Sequence, residues 1–410
     1  MTNGAVAAEL PVWQTTRGRW RVISAIGVVQ ILAWGSSYYL LAVLAAPIMQ
    51  ETGWSRTGVI GGVSVGLMAA GLAAIRVGRL IDQFGGRMVM VSGMALLAVG
   101  LLVLALAPNL VVYLAGWIVL GAGMGASLYD ASFSTLGRLY GTDARRAISA
   151  LTLWGGFAST VCWPLSAWLV DAVGWRGACG AYAMVHLFIT LPICLFLIPK
   201  EGMSGAAAAR SERPQQDHGR PDTPPSEIFW LLAIILTTAG MIAAIWSVHL
   251  VTILQSRGLS LGAAVALGAL VGPAQVGARL IEMAAGGRHH PIWTMIVAAV
   301  LIAAGLAALW SGAILTASAL MAFGAGNGLW SIARGTLPLT VFGPKSYVVL
   351  MGKLATPSLI AQALAPAVGA LVLQTYGSEA VLGVLAVLAT VNLAGVVWLY
   401  RMIRLRAECN

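Results

Sequence analysis

The sequence predicts an all-α membrane protein with twelve transmembrane helices in two pseudo-symmetric six-helix bundles. The first observation is composition: 59% of the 410 residues are hydrophobic and 9% are charged, whereas about a quarter of the residues of soluble domains are charged. The second is a series of twelve apolar runs, each near the ~20 residues with which a helix crosses a bilayer. The third is an internal repeat of these runs.

The twelve runs are separated by connectors that hold most of the polar residues. They occupy residues 22–48, 56–80, 88–107, 110–139, 144–171, 177–198, 227–254, 260–285, 292–311, 313–341, 346–375 and 379–401. The segment before the first run has no signal-peptide pattern, so this run is expected to remain as a helix.

The longest connector is rich in proline and charge and is predicted to be a disordered linker. It divides the runs into two sets of six. The predicted organisation is an N-terminal segment (1–21), a first bundle (22–198), the linker (199–226), a second bundle (227–401) and a C-terminal tail (402–410).

Three matches at nearly one spacing indicate that the two halves are copies of each other. GAGMG at 121–125 returns as GAGNG at 324–328, Pro164 returns as Pro366, and GWS at 53–55 returns as GLS at 258–260. Membrane proteins built from such repeats bind small molecules between the halves, near the bilayer midplane.

The distribution of basic residues predicts the orientation. If both termini are cytoplasmic, the cytoplasmic segments carry 17 Lys and Arg and the outer segments carry three. Cytoplasmic loops are enriched in these residues, so both termini are predicted to face the cytoplasm. The net charge of +10 therefore reports topology, and we expect no nucleic-acid partner.

No motif for an enzyme is found. The sequence has no phosphate loop, zinc motif or nucleophile elbow, and its four cysteines lack metal-ligand spacing. We expect no enzyme activity, no cofactor and no metal site.

Charged residues inside the apolar runs are the main functional signal. Arg279, Arg334 and Lys353 are deep cations, and Asp130 is the carboxylate at comparable depth. A rise of 1.5 Å per residue places all four roughly 11–15 Å from the predicted cytoplasmic helix ends. A charge at the bilayer centre costs about 2.5–3.5 kcal/mol, so an excess of positive charge indicates a site for a negatively charged solute.

Each charged residue also has a second interpretation. Asp130 and Arg334 could form an ion pair that joins the halves, or Asp130 could carry a coupling proton. Arg279 lies either deep in its span or at the cytoplasmic edge, paired with Glu282. Lys353 either contacts the solute or extends toward the cytoplasm. In the first span, Gln30, Trp34 and Tyr38 either border the solute or only pack against other helices.

The segment GRLIDQFGGR (78–87) resembles the signature loop of the major facilitator superfamily, whose pattern is Gly-x-x-x-Asp-x-x-Gly-x-Arg. Gly78, Asp82, Gly85 and Arg87 occupy its defined positions. The resemblance covers the whole chain, with its twelve runs, two halves and central linker. It implies the major facilitator fold and a gating loop in which Asp82 engages neighbouring helix ends in the outward-facing state.

Within this superfamily the chain resembles the monocarboxylate porter and oxalate:formate antiporter branch. GAGMGASLY (121–129) is similar to a glycine-rich span of that branch, and Arg279 and Lys353 match its substrate-binding cations. Gln275 replaces the Asn or Asp that the branch carries one turn before Arg279, which leaves the coupling ion open.

The sequence therefore predicts a secondary transporter that moves a small organic anion, a carboxylate, across the inner membrane by alternating access. Two alternatives stay open: a proton-coupled exporter of an apolar or cationic compound, and a non-transporting membrane sensor or receptor. The expected partners are an anionic solute and the lipid bilayer, with the monomer as the functional unit.

Overall fold

The computed structural model describes residues 13, 15–200, 226–285, 289–312 and 316–409. These residues are almost entirely helical, and the predicted all-α membrane fold is confirmed. Residues 201–225, which are most of the predicted linker, and residues 1–12 of the N-terminal segment lie outside the described residues.

The first half of the chain forms nine α-helices within the described residues. They are α1 (Thr16–Gly35), α2 (Leu41–Thr52), α3 (Arg56–Phe84), α4 (Gly86–Leu106), α5 (Leu110–Ser127), α6 (Tyr129–Tyr140), α7 (Ala144–Gly156), α8 (Ala158–Val185) and α9 (Leu191–Leu197). A 3₁₀ turn (Gly141–Asp143) precedes α7, and a π-helical turn (His186–Thr190) precedes α9.

The second half forms α10 (Ser226–Ser256), α11 (Leu261–Gly268), α12 (Val271–Ala284), α13 (Pro291–Ser311) and α14 (Thr316–Cys409). Glycines with non-helical backbone angles interrupt α14 at Gly343 and Gly377, as Gly174 interrupts α8. The hydroxyls of Ser166 and Tyr182, on either side of Gly174, are 2.7 Å apart. This distance shows that the chain folds back at Gly174.

These helices correspond to the twelve predicted spans. Seven stretches of the described chain are long and apolar enough to cross a membrane. Two of them, Leu110–Leu197 and Thr316–Arg406, contain 88 and 91 residues. Because a single crossing needs about 20 residues, each of these two holds three spans, separated by the turns just described. The seven stretches therefore hold eleven spans, and α1 and α2, which are not among them, correspond to the first predicted span.

Four predicted spans are broken where the sequence suggested continuous helices. The first is interrupted between Gly35 and Leu41, the fourth at Leu128, the fifth at Phe157, and the eighth between Gly268 and Val271. In the first break the Ser37 hydroxyl donates to the Ala33 carbonyl oxygen at 2.5 Å. Such local bonds compete with the helical pattern and bend helices.

The turns between spans repeat from one half to the other. Six glycines with positive φ form three pairs, separated by 205, 202 and 203 residues: Gly53 and Gly258, Gly141 and Gly343, Gly174 and Gly377. Only glycine adopts this conformation without strain. The repeat seen in sequence motifs is therefore also a repeat of backbone turns.

One arginine ties three spans of the first half together. Arg176 pairs with Glu51 at 2.9 Å and donates to the carbonyl oxygens of Ala105 and Ala107, both at 2.9 Å. The last carbonyls of a helix lack intrahelical partners. Arg176 therefore caps the end of α4 while it holds the end of α2.

The second half repeats this arrangement with the charges exchanged. Arg257, at the end of α10, pairs with Glu379 at 2.8 Å. It also donates to the carbonyl oxygens of Leu309 and Trp310 at the end of α13. In the first half the arginine lies at the start of span 6 and the glutamate at the end of span 1. In the second half the arginine lies at the end of span 7 and the glutamate at the start of span 12. Both arginines cap the third span of their half.

The two halves meet at the end of the molecule that carries the turns at Gly85, Gly141 and Gly343, here called the Gly85 end. Span 2 crosses span 11 so closely that a Cβ atom on Gly352 would lie 2.5 Å from the Ala74 carbonyl oxygen. Arg145 of α7 donates to the His289 carbonyl oxygen at 2.5 Å. These contacts close that end beneath the cavity described next.

Candidate functional site

A cavity of about 200 Å³ lies between the two halves. The first half lines it mainly with aromatic and aliphatic side chains, and the second half adds amides, hydroxyls and two guanidinium groups. The lining residues that bear on function are Trp34, Tyr38, Tyr39, Tyr129, Asp130, Gln275, Arg279, Asn327, Ser331, Arg334 and Gln362.

Arg279 lies in the cavity wall, on α12, and only 6% of its surface is exposed. Its Nη1 donates to the Thr152 carbonyl oxygen of the first half at 2.8 Å, and its Nε donates to that of Gly328 at 3.4 Å. Within the described residues, no carboxylate is close enough to form an ion pair with it. Among the described residues, Arg279 is thus a buried cation held by carbonyl dipoles and not by a carboxylate.

Glu282, the alternative partner of Arg279, is occupied elsewhere. Its Oε1 accepts a hydrogen bond from Thr294 at 2.8 Å and lies 3.2 Å from His289 and 3.9 Å from Arg145. This cluster lies at the Gly85 end, one turn along α12 from Arg279. The structure therefore places Arg279 in the cavity and not at the edge with Glu282.

Asp130 and Arg334 form an ion pair across the two halves. Asp130 lies in the first turn of α6, which starts after the break at Leu128. Backbone N–H groups at a helix start favour a negative charge there. Both side chains line the cavity and are about one fifth exposed, 20% for Asp130 and 23% for Arg334. Arg334 is thus neutralised, whereas Arg279 is not.

Trp34 and Tyr38 line the cavity, as predicted for solute contact, but Gln30 does not. Gln30 is fully buried; its amide nitrogen donates to the Ser127 carbonyl oxygen at 2.7 Å and to the Ser132 hydroxyl at 2.9 Å. Its Oε1 accepts from the Trp34 indole at 3.2 Å. Gln30 therefore lies behind the wall, where it binds the α5–α6 break and orients Trp34.

Lys353, which was predicted to bind the solute, lies outside the cavity wall. Its side chain is exposed and does not line the cavity. The cavity face of this span is formed by Met351, Leu354, Ala355 and Ser358. Gly352 faces span 2, so the next residue points about 100° away from that contact. The helix rotation, which a depth estimate does not give, excludes Lys353.

Two aromatic residues in the wall were not predicted. Tyr39 follows Tyr38 in the break between α1 and α2, and Tyr129 begins α6 after the break at Leu128. The Tyr129 hydroxyl donates to the Thr152 carbonyl oxygen at 3.3 Å. The aromatic residues beside Gly-rich and Ser-rich segments were visible in the sequence, but the breaks that turn them inward were not.

The family model described as Major Facilitator Superfamily matches residues 26–352. The chain belongs to this superfamily. It is therefore a secondary transporter and a multi-pass membrane protein, not an enzyme.

Two curated proteins are similar in sequence. Transcription regulatory protein OpdE of Pseudomonas aeruginosa is 28% identical over 162 residues, which are 39% of this chain and 40% of that protein. The "Uncharacterized 38 kDa protein in 23S RNA operon" of Thermoproteus tenax is 27% identical over 355 residues, 85% of this chain and 88% of that protein. The match to the first thus spans less than half of its length.

Solved structures of superfamily members share the fold. The human organic anion transporter MFSD10 (TETRAN) matches with a TM-score of 0.73 at 15% identity, over 92% of this chain and 99% of that one. The proton:xylose symporter XylE matches with 0.67 at 13% identity, over 91% and 94%. The E. coli fucose:proton symporter FucP matches with 0.64 at 13% identity, over 92% and 98%. These identities show the fold alone.

The superfamily loop lies at the Gly85 end. Arg138 of α6 lies 3.7 Å from the Asp82 carboxylate and also donates to the Asp82 carbonyl oxygen. Gly85 has a φ of 85° at the turn from α3 to α4, and Arg87 lies in the first turn of α4. A Cβ atom on Gly78 would lie 3.0 Å from the Val348 carbonyl oxygen, so the loop adjoins span 11. Its gating role stays a prediction.

Proposed function

We propose that this superfamily member transports a small organic carboxylate by alternating access, with Arg279 binding the carboxylate group. The observation that carries the proposal is a buried guanidinium in the inter-bundle cavity with no carboxylate partner among the described residues. An uncompensated charge at such depth is costly. A carboxylate solute supplies the missing negative charge.

The geometry suits this chemistry. A guanidinium group presents a planar fork of N–H donors that matches a carboxylate. Arg279 uses one donor on Thr152 of the first half and one, at a longer distance, on Gly328 of the second. A solute carboxylate that takes over the bond to Thr152 changes the link between the halves. Binding would thereby be coupled to their relative motion.

The same cavity disfavours a cationic solute, because Arg279 adds an unbalanced positive charge and Asp130 already pairs with Arg334.

Asp130 and Arg334 are proposed to hold the halves together in this state or to carry coupling, since they lie on opposite halves. Lys353 and Gln30 are left out of the proposed binding site, whose first-span members are Trp34 and Tyr38.

The proposed state is outward-facing. The basic connectors favour a cytoplasmic Gly85 end and cytoplasmic termini in the inner membrane, and the halves touch at this end. Gly78, Asp82, Gly85 and Arg87 would stabilise this state as the gating loop. Residues 22–198 and 227–401 would rock as two bundles. A functional monomer is part of this proposal.

The proposal is tested with purified protein in liposomes, by exchange of a panel of small carboxylates with and without a pH gradient. Arg279→Gln is expected to abolish saturable exchange. Lys353→Gln is the matched control, since it removes a cation of similar depth outside the cavity, and it should keep exchange near the wild-type rate. Loss of exchange in both variants, or in neither, would contradict the assignment to Arg279.

A further inference from the structure

We infer that the solute is a monocarboxylate that carries an aromatic ring, bound with its carboxylate at Arg279 and its ring against Trp34 and Tyr39. This inference rests on the proposed function and narrows its substrate class. It follows from how the charged and aromatic parts of the cavity wall are joined.

The aromatic wall begins directly beside the guanidinium group. Arg279 Nη1 and the Tyr129 hydroxyl donate to the same acceptor, the Thr152 carbonyl oxygen, at 2.8 and 3.3 Å. The phenol group of Tyr129 and the guanidinium group of Arg279 are therefore held by the same backbone carbonyl. A carboxylate at Arg279 would have its substituent next to this ring.

The wall continues as a connected cluster of rings. The Trp34 ring centroid lies 5.2 Å from that of Tyr129, 5.4 Å from that of Tyr38 and 6.0 Å from that of Tyr39. Tyr38 and Tyr39 meet edge to face at 5.4 Å. Aromatic rings prefer such tilted and edge-to-face neighbours, and a solute ring can extend this cluster.

Two polar groups of this wall are already bonded within the protein. The Trp34 indole N–H donates to Gln30, and the Tyr129 hydroxyl donates to Thr152. Trp34 and Tyr39 are half-buried and line the cavity. Near Arg279, Trp34 and Tyr129 therefore offer a solute ring surface more than hydrogen-bonding groups, and Tyr39 adds a further ring.

The number of unpaired cations in the cavity lining indicates that the solute carries a single carboxylate. Arg334 is paired with Asp130, so Arg279 is the cation of the lining that lacks a carboxylate among the described residues. A second carboxylate on the solute would find no further unpaired cation in the described lining, and an unpaired buried charge is costly. An aromatic cage alone also suits a cation, but Arg279 repels one. A dicarboxylate and an organic cation are thus both disfavoured.

The test uses three compounds of nearly one shape on the purified full-length protein, with binding measured by titration calorimetry. Phenylacetate has ring and charge, cyclohexylacetate lacks aromaticity, and phenylacetamide lacks charge. Phenylacetate is expected to bind about tenfold more tightly than cyclohexylacetate, since each ring contact adds a modest gain beyond area. Trp34→Leu should lower this ratio by about threefold, because Tyr39 remains, whereas Trp34→Phe should keep most of it.

The outcomes separate the two proposals. Cyclohexylacetate binding as tightly as phenylacetate, or a ratio unchanged in Trp34→Leu, overturns the aromatic inference and leaves the carboxylate proposal standing. Propionate binding without phenylacetate binding does the same. Phenylacetamide matching phenylacetate, with Arg279→Gln affecting neither, overturns the carboxylate proposal. Failure of every carboxylate, propionate included, to bind overturns both.

Discussion

The guanidinium group of Arg279, in the second half of the chain, donates a 2.8 Å hydrogen bond to the carbonyl oxygen of Thr152 in the first half. The same carbonyl oxygen accepts from Tyr129. One backbone group thus joins the two halves, the buried cation and the aromatic wall of the cavity. Changes at this point are expected to affect solute binding and the link between the halves together.

Arg279→Lys should weaken solute binding without removing it. Lysine keeps the charge but replaces the planar fork with a single ammonium group. Loss of one charge-assisted hydrogen bond, about 1.5–3 kcal/mol, corresponds to a rise in KM of roughly tenfold to a hundredfold. The measurement is initial exchange rate against solute concentration in liposomes. Lys353→Arg is the control, and an unchanged KM in Arg279→Lys would argue against contact with the solute.

The Asp130–Arg334 ion pair should show coupling in a double-mutant cycle. Asp130→Asn or Arg334→Gln alone leaves a charge without its partner in a largely buried place, at a cost of about 1–3 kcal/mol. The double variant removes both charges and should be more stable than the sum of the single changes predicts, by about 0.5–3 kcal/mol. Thermal unfolding in detergent gives the stabilities. Strict additivity would mean that the two side chains do not interact.

In the Arg257–Glu379 and Arg176–Glu51 ion pairs, the arginine should contribute more to stability than the glutamate. Arg257→Leu removes the ion pair and the donors to Leu309 and Trp310, so we expect a loss of about 1–3 kcal/mol. Glu379 is 59% exposed, and Glu379→Gln should cost less than about 1 kcal/mol.

The repeat supplies an internal control for this ranking. Arg176→Leu and Glu51→Gln in the first half should follow the same order when melting temperatures are compared. If the glutamate variants were the more damaging, the carbonyl contacts would not be the main contribution of the arginines.

Gly352→Leu should disfavour closure of the Gly85 end. A Cβ atom at this position would lie 2.5 Å from a backbone oxygen of span 2, and overpacking of this kind costs about 1–3 kcal/mol. The closed state should lose roughly tenfold or more in population relative to the open one. Labelling of a cysteine placed at Val348, a buried residue beside Gly78, measures the opening.

Gly61→Leu is the matched control on span 2, because nothing lies within 4 Å of a Cβ atom there. It should leave labelling at Val348 unchanged. Equal labelling in the two variants would show that the Gly352 crossing does not close this end.

The sequence was sufficient for the fold because its main signals are local. Apolar runs of membrane-spanning length, the spacing of basic connectors and the repeat of GAGMG as GAGNG do not depend on tertiary contacts. The site was harder to predict. Arg279 and Lys353 had the same predicted depth, yet only Arg279 faces the cavity, because each residue turns a helix by about 100°.

The sequence by itself determined the twelve-span, two-half architecture, the depth of the cations along their helices and the superfamily loop motif of this transporter. Only the tertiary structure decided which cation is free. It paired Arg334 with Asp130, turned Lys353 away from the cavity and buried Gln30 behind Trp34. It also brought Tyr39 and Tyr129 to the wall through breaks in two spans. Depth follows from position along a helix, but partnership depends on helix rotation and on how the two halves pack.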